Sequence, residues 1–334
     1  MSEIRIFEPA AIVATLERSL TANDEHYGIA DGVEAKRDRY LAQMAADDRR
    51  GLRDVLVANS GTIKRLQHLY TLCPNFSEAI GIVLRAALVS KSMRTELEMP
   101  PLLLLGPPGI GKSHFARKLS EALQTCFVEH SMASADDTLL TGHSLSWRAA
   151  RLGIVARTLI EGQTASPLIF IDEIEKGGVH HAEIHDPLHA LLEPESSRAF
   201  VDAFLEAPIR ADKILWLAAS NLEIDHLRRS LLDRFLILHI NAPSQEQRRT
   251  IVRTLYEKAL ASRFRHLDGE LALDVVDALA QATPRRMRMI IELAIGFAVA
   301  DRRRSLAVSD IVAARRLAES PFETRGIGFF APGL

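Results

Sequence analysis

Cysteine is scarce in this chain: Cys73 and Cys126 are the only two among 334 residues. They are too few and too far apart for a disulfide framework or a thiolate metal cluster, and their scarcity fits a reducing compartment. Long hydrophobic runs are missing as well, since no stretch approaches the roughly 18 apolar residues of a membrane span. The opening residues Met1-Ser2-Glu3-Ile4-Arg5 lack the apolar core of a secretory leader. Nor is one sign of charge in excess: the formal net charge is -2, so no global basic field calls for nucleic acid. There is no internal repeat or low-complexity tract. These absences lead to the expectation of a cytoplasmic protein with no membrane partner. The remaining composition, 47% hydrophobic and 25% charged, is that of an ordinary globular chain long enough for two or three domains.

The stretch Gly106-Pro107-Pro108-Gly109-Ile110-Gly111-Lys112-Ser113 carries the most information. It is a P-loop, G-x-x-x-x-G-K-[ST], and it follows Leu102-Leu103-Leu104-Leu105, a run that reads as a short buried strand. The motif works only in that setting. A strand delivers the loop, backbone N–H groups wrap phosphate, and a helix starting at Lys112 turns its N-terminus to the anion. Glycine lets the backbone approach phosphate closely and take positive φ. Lys112 is expected on the β- and γ-phosphates and Ser113 on Mg²⁺, with His114 beside them at the helix start.

Downstream, Pro167-Leu168-Ile169-Phe170-Ile171 is an apolar strand that ends in Asp172-Glu173. In a parallel sheet both strand ends reach one edge, where ligands bind. Asp172 then holds Mg²⁺ through water, and Glu173 polarises the attacking water as general base. Acidic residues after a buried strand are otherwise simple loop residues. A third apolar run, Lys213 to Ala219, ends in Ser220-Asn221, whose amide could orient the lytic water; a polar residue there is ordinarily a turn former.

Organisation along the chain follows from pattern. Residues 1–72 are a charged segment in which Leu41, Met44, Leu52, Val55 and Leu56 recur at helical spacing with an interruption near Gly51, and they read as a helical appendage or partner-binding arm. A helix begins at Pro74-Asn75-Phe76-Ser77-Glu78 and leads to a break at Met99-Pro100-Pro101. Strands and helical stretches alternate from there to about residue 242, which argues a parallel α/β core over 73–242. Residues 243–320 carry helical patterns only, and 321–334 form a Gly/Pro/Phe-rich tail.

With P-loop, Asp172-Glu173 and Ser220-Asn221 in place, the chain resembles an AAA+ ATPase from about residue 76 to 317, and within that group the ATPase module of Lon-type proteases. Leu168 to Lys176 is similar to that family's Walker B segment. Asp186-Pro187-Leu188-His189-Ala190-Leu191-Leu192-Glu193-Pro194-Glu195 resembles its DP-x-x-ALLE…DPE stretch, shortened by a few residues. Ser230-Leu231-Leu232-Asp233-Arg234-Phe235 resembles its P-LLDR box. The resemblance implies an α/β P-loop NTPase fold: a parallel sheet core with helices on both faces, followed by a helical lid and preceded by a short helical segment. No Ser-Lys protease domain follows within 334 residues, so intrinsic proteolysis is not expected.

Further roles follow from the resemblance. Arg234 takes the place of an arginine finger that reaches the γ-phosphate of a neighbouring subunit, with Arg228 and Arg229 as nearby alternatives; it could equally pair with Asp233 on the surface. Arg285, in Thr283-Pro284-Arg285, matches the sensor-2 arginine in the first turn of a helix capped by Thr283. Trp147-Arg148 lies in Thr141 to Gly153, a segment resembling the pore loop RGHRRTYIG, with Trp147 in the tyrosine's place; burial is the usual fate of a tryptophan. His180, His181, His185 and His189 have zinc-like spacing, but Asp186-Pro187 starts a new helix and separates them. Phe76 or Ile80 is expected near the nucleotide base.

The expected function is Mg²⁺-dependent ATP hydrolysis that drives remodelling or unfolding of a protein substrate by a homo-oligomeric, hexameric ring. A separate peptidase or adaptor could dock on Gly326-Ile327-Gly328-Phe329-Phe330. The alternative is a nucleic-acid motor or loader of the same class, with Arg302-Arg303-Arg304 and Arg315-Arg316 as its basic patch.

Overall fold

Short runs of apolar residues set between charges give the first elements. In the computed structural model, which describes residues 2–25, 32–133, 140–176, 185–222, 227, 229–262 and 267–318, β1 (Glu3–Arg5) pairs antiparallel with β2 (Leu52–Asp54), Ile4 facing Arg53. Helices α1 (Pro9–Glu25) and α2 (Val33–Ala45) lie between them in the chain and pack on each other. The segment is mostly helical, as its pattern suggests, but it packs into the main core. Ile6, Phe7, Ile12, Leu41 and Met44 join one buried cluster with Leu103, Ile169 and Trp216 of the main sheet. Arg53, 4% exposed, donates to the carbonyls of Leu159 (3.2 Å) and Ile160 (2.8 Å) and to Asp47 (3.0 Å). The charges that looked like a solvated face therefore include one that ties the segment into the interior.

Helix α3 (Ser60–Leu72) opens with a reciprocal cap, in which Thr62 N–H donates to Asn59 Oδ1 (3.0 Å) and Asn59 N–H to Thr62 Oγ1 (3.3 Å). A single turn at Pro74–Phe76 leads into α4 (Ser77–Met93). Then come β3 (Leu102–Leu105), α5 (Lys112–Leu123), β4 (Phe127–Ser131), α6 (Ile154–Glu161), β5 (Leu168–Asp172), α7 (His185–Leu192) and α8 (Pro194–Ser197). A small antiparallel pair, β6 (Phe200–Val201) and β7 (Pro208–Ile209), precedes β8 (Leu215–Ser220), α9 (Arg229–Leu232) and β9 (Leu236–His239).

Strands β4-β5-β8-β3-β9, in that spatial order, form one five-stranded parallel sheet. Side chains alternate across a strand. Leu103, Leu105, Ile169, Ile171, Trp216 and Ala218 enter the cluster shared with the N-terminal segment. Leu102, Leu104, Phe170 and Leu217 alternate with them and are fully buried too. Burial on both faces explains why these strands read as continuous apolar runs. The register sets Leu105 beside Ser220, and Ile171 beside Ala218, so the ends of β3, β8 and β5 share one edge.

The described residues fall into two compact units. The first draws on Met1–Tyr70, Phe76–Pro107 and Lys112–Ile240; the second on Thr71–Asn75, Pro108–Gly111 and the chain from Asn241 onward. The second unit holds α10 (Gln245–Ser262), α11 (Leu273–Ala280), α12 (Pro284–Ala300) and α13 (Val308–Ala318) around its own core of Val252, Tyr256, Val276, Met287, Ile291 and Ile311. Among the described residues no single helix is long and apolar enough to cross a membrane.

Candidate nucleotide site

The buried leucine strand β3 delivers the loop that follows it to the carboxyl edge of the sheet. Gly106 N–H donates to Ser220 O (3.3 Å), which holds the start of the loop against the end of β8. Gly109 and Gly111 take φ of 79° and 101°, the left-handed region that glycine alone enters without strain. Open space surrounds the position a Cβ would take at Gly109. Helix α5 begins at Lys112, as the motif requires. His114 lies exposed on its first turn.

Lys112 is 6% exposed, and its ammonium is held inside the loop. Nζ donates to Gly106 O (2.7 Å), Pro107 O (3.1 Å) and Asn221 Oδ1 (2.8 Å). Burial pulls its pKa below the ordinary lysine value, and the carboxylates of Asp172 and Glu175 oppose that shift. Ser113 Oγ donates to Asp172 Oδ2 at 2.9 Å. Four residues named from sequence, Lys112, Ser113, Asp172 and Asn221, thus meet at one edge, brought there by three adjacent strands.

Glu173 has φ 53°, a left-handed conformation rare for a glutamate. Its N–H donates to Asp172 Oδ1 (2.9 Å), and its carboxylate pairs with Lys176 (3.1 Å). Such conformations cluster at functional sites, where the surrounding structure holds them. Glu175 was not singled out by motif spacing. Its Oε1 accepts the N–H of Asn221 (3.3 Å), while Oε2 is buried without a hydrogen-bond partner. The signal in the sequence was a third carboxylate three residues beyond Asp172, within the single turn (Ile174–Lys176) that follows the strand.

Other predicted residues are placed as follows. Arg234 donates to Ser230 O (2.6 Å) and stands 3.7 Å from Glu193, so its ionic neighbour is Glu193 and not Asp233. Arg228 lies outside the described residues, and Arg229 begins α9. Thr283 occupies the N-cap position of α12 with Pro284 at its start, but its hydroxyl makes no cap bond; Met287 N–H bonds the Thr283 carbonyl instead. Within the second unit, Arg285, Thr283, Ala282, Arg315, Pro108 and Gly109 line a cavity of about 430 Å³, in the size range of small-molecule sites. Phe76 and Ile80 are fully interior, Phe76 stacked on Phe115 at 4.5 Å, so neither is open to a base. Trp147 is 63% exposed on its loop and escapes the burial usual for its type. His180 and His181 lie outside the described residues; α7 starts at His185, one residue before Asp186. Among the described residues no group of three or more potential ligands could hold a metal ion.

The loop of Thr141 to Gly153 is fastened at its base. Ala203 N–H donates to Thr141 O (2.8 Å), His143 N–H to Arg151 O (3.1 Å), and Gly153 N–H to Asp202 Oδ2 (2.9 Å). Asp202 is fully buried and also accepts the N–H groups of Phe204 (2.9 Å) and Leu205 (3.1 Å). Burial pushes its carboxyl up to about 6 against these three donors and the nearby His143 imidazole. A Cβ at Gly142 would sit 2.5 Å from Asp202 Oδ1, and one at Gly153 would sit 2.5 Å from Gly142 N. Glycine is required at both positions by close approach.

A loop of left-handed glycines, a lysine at a helix start, and a hydroxyl joined to a strand-end carboxylate fit a triphosphate with Mg²⁺: the metal donors are hard oxygens, and an anion at the start of α5 would meet backbone N–H groups. Fold and site together define a P-loop NTPase. Residues 102–242 match the AAA family, the ATPase family associated with various cellular activities. The chain is similar to the mitochondrial Lon protease homolog of Emericella nidulans, 30% identical over 185 residues, 55% of this chain and 16% of that protein. It is also similar to the Lon protease of Clostridioides difficile, 28% identical over 200 residues, 57% of this chain and 25% of that protein. The matched stretches thus cover a quarter or less of either relative. A mutant RuvB of Thermotoga maritima shares the fold, with TM-score 0.51 and 17% identity over 73% of this chain and 70% of that one.

Proposed function

We propose that the chain hydrolyses ATP with Mg²⁺ and couples hydrolysis to remodelling or unfolding of a protein substrate, working in the cytoplasm as a homo-oligomeric, hexameric ring. The observation that carries the catalytic part is the meeting of Lys112, Ser113, Asp172 and Asn221 at the end of β3. Mg²⁺, when bound, neutralises charge building on the phosphates. Ser113 and Asp172 are the residues that would hold it. Lys112 leaves the loop carbonyls for phosphate oxygens, Glu173 takes a proton from water, and Asn221 orients that water. Arg234, from the neighbouring copy, and Arg285 supply positive charge. Trp147 offers an exposed ring to an extended polypeptide of any sequence. The protein-substrate part draws support from the likeness to Lon proteases. A separate peptidase or adaptor completes the reading.

Of the arginines invoked for a nucleic-acid motor, Arg303 favours that second reading less: it is bound to Asp301 (2.9 Å) and Asp310 (2.7 Å), so its charge is matched within the fold. The test is ATP turnover with Mg²⁺ in the presence of unfolded protein or of DNA. Turnover stimulated by unfolded protein is expected, and Glu173→Gln should keep nucleotide binding while lowering turnover by roughly 10²–10⁴-fold. Stimulation by DNA alone, with a steep salt dependence, would favour the motor. Undiminished turnover in Glu173→Gln would refute the assignment of the base.

A further inference from the structure

Glu175 is a half-buried carboxylate that the reading above leaves without work. One oxygen accepts a single main-chain N–H, that of Asn221 (3.3 Å), and the other is buried with no hydrogen-bond partner. A buried acceptor left open is unfavourable, and a neutral or apolar side chain would fill the turn at lower cost. Packing therefore does not account for a glutamate here. Its one hydrogen bond leads straight to the site, where its charge also acts on the Lys112 ammonium. Asn221 is the residue after β8, its N–H ends on Glu175, and its Oδ1 ends on Lys112 Nζ (2.8 Å). The turn after β5 thereby grips the residue after β8, so that the strand carrying Asp172 and the strand carrying Asn221 are fixed to each other beyond the last ladder bond.

We infer that Glu175 is a positioning residue for hydrolysis: through the Asn221 N–H it sets where the Asn221 side chain stands when Lys112 transfers from Oδ1 to phosphate. Without that hold, release of Lys112 leaves the Asn221 amide free to rotate away from the attacking water. The inference rests on the ATPase reading. It concerns the orientation step and leaves nucleotide binding to the loop itself.

Glu175→Ala removes the acceptor, whereas Glu175→Gln keeps an amide oxygen that can still take the Asn221 N–H. Two measurements separate this inference from the wider reading. In the nucleotide-free full chain, hydrogen exchange at the Asn221 amide should quicken about tenfold or more in Glu175→Ala and stay within about threefold of wild type in Glu175→Gln. In turnover assays, kcat should fall about tenfold in Glu175→Ala at unchanged Kd for a non-hydrolysable ATP analogue, with Glu175→Gln recovering most of the loss. Glu175→Ala placed on Asn221→Ala should cost nothing further, because one acts through the other. Unchanged exchange in Glu175→Ala, or full additivity with Asn221→Ala, would overturn the inference. If wild type binds the analogue and never turns over, the ATPase reading fails, while the exchange result still decides whether Glu175 holds Asn221.

Discussion

Asp202 yields a pH dependence that can be worked from the structure. Its carboxyl is pushed up to about 6 from an ordinary 3.8, because it is fully buried and the three N–H donors only partly offset desolvation. The folded state therefore holds this proton more tightly than the unfolded chain. Its stabilising effect is complete below about pH 3.8 and disappears as pH rises through about 6. At roughly 1.4 kcal/mol per pH unit, the whole effect is about 3 kcal/mol, of which about 2 kcal/mol falls between pH 4.5 and 7. Many other carboxylates titrate in the same window, so the comparison must be with Asp202→Asn, which lacks only this group. Both tryptophans belong to the first unit, Trp216 buried in β8 and Trp147 exposed, so emission reports on Trp216 as that unit unfolds. Urea unfolding followed by tryptophan emission should show wild type losing about 2 kcal/mol relative to Asp202→Asn from pH 4.5 to 7. A pH-independent offset added to this change reflects the lost Gly153 bond. A flat or rising difference would refute the account of Asp202 as a carboxyl dominated by its burial.

Three further outcomes are expected. Gly153→Ala forces a Cβ against the Asp202 carboxylate and 2.7 Å from Leu140 O, and should cost about 1–3 kcal/mol in the same unfolding assay. Arg53→Met strips two α6 carbonyls and Asp47 of their donor and should cost roughly 3 kcal/mol, seen as a lower urea midpoint at unchanged slope. Trp147→Ala removes an exposed ring and should leave stability within about 0.5 kcal/mol. It should reduce stimulation of turnover by unfolded protein while basal turnover stays the same.

The central strands were legible because burial on both faces makes them uniformly apolar: Leu102–Leu105, Leu168–Ile171 and the run into Ser220 are visible without any partner. The edges were harder to see. Phe127–Ser131 carries Glu129 and His130, and β9 is only four residues; each has a neighbour on one side only, so hydrophobicity does not mark them. The loop and its lysine, serine and aspartate are local in sequence or sit at a strand end, and geometry brings them together as spacing implies. Glu175 escaped notice because its meaning depends on a main-chain N–H 46 residues away. The helices of the N-terminal segment follow from its pattern, but its packing does not: Arg53 and Arg37 face inward, and Arg37 reaches Glu206 (2.8 Å), a pairing no window of sequence reveals.

Burial of the N-terminal segment bears on how the chain comes off the ribosome. Ile6, Phe7 and Ile12 belong to a cluster completed by Ile209, Ile214 and Trp216, and the Ile6 carbonyl waits for the N–H of Arg210. These residues find their cover only in residues made roughly two hundred positions later, and they stay exposed to water until then. A truncation that keeps only the α/β core and helical unit would expose the same apolar wall permanently.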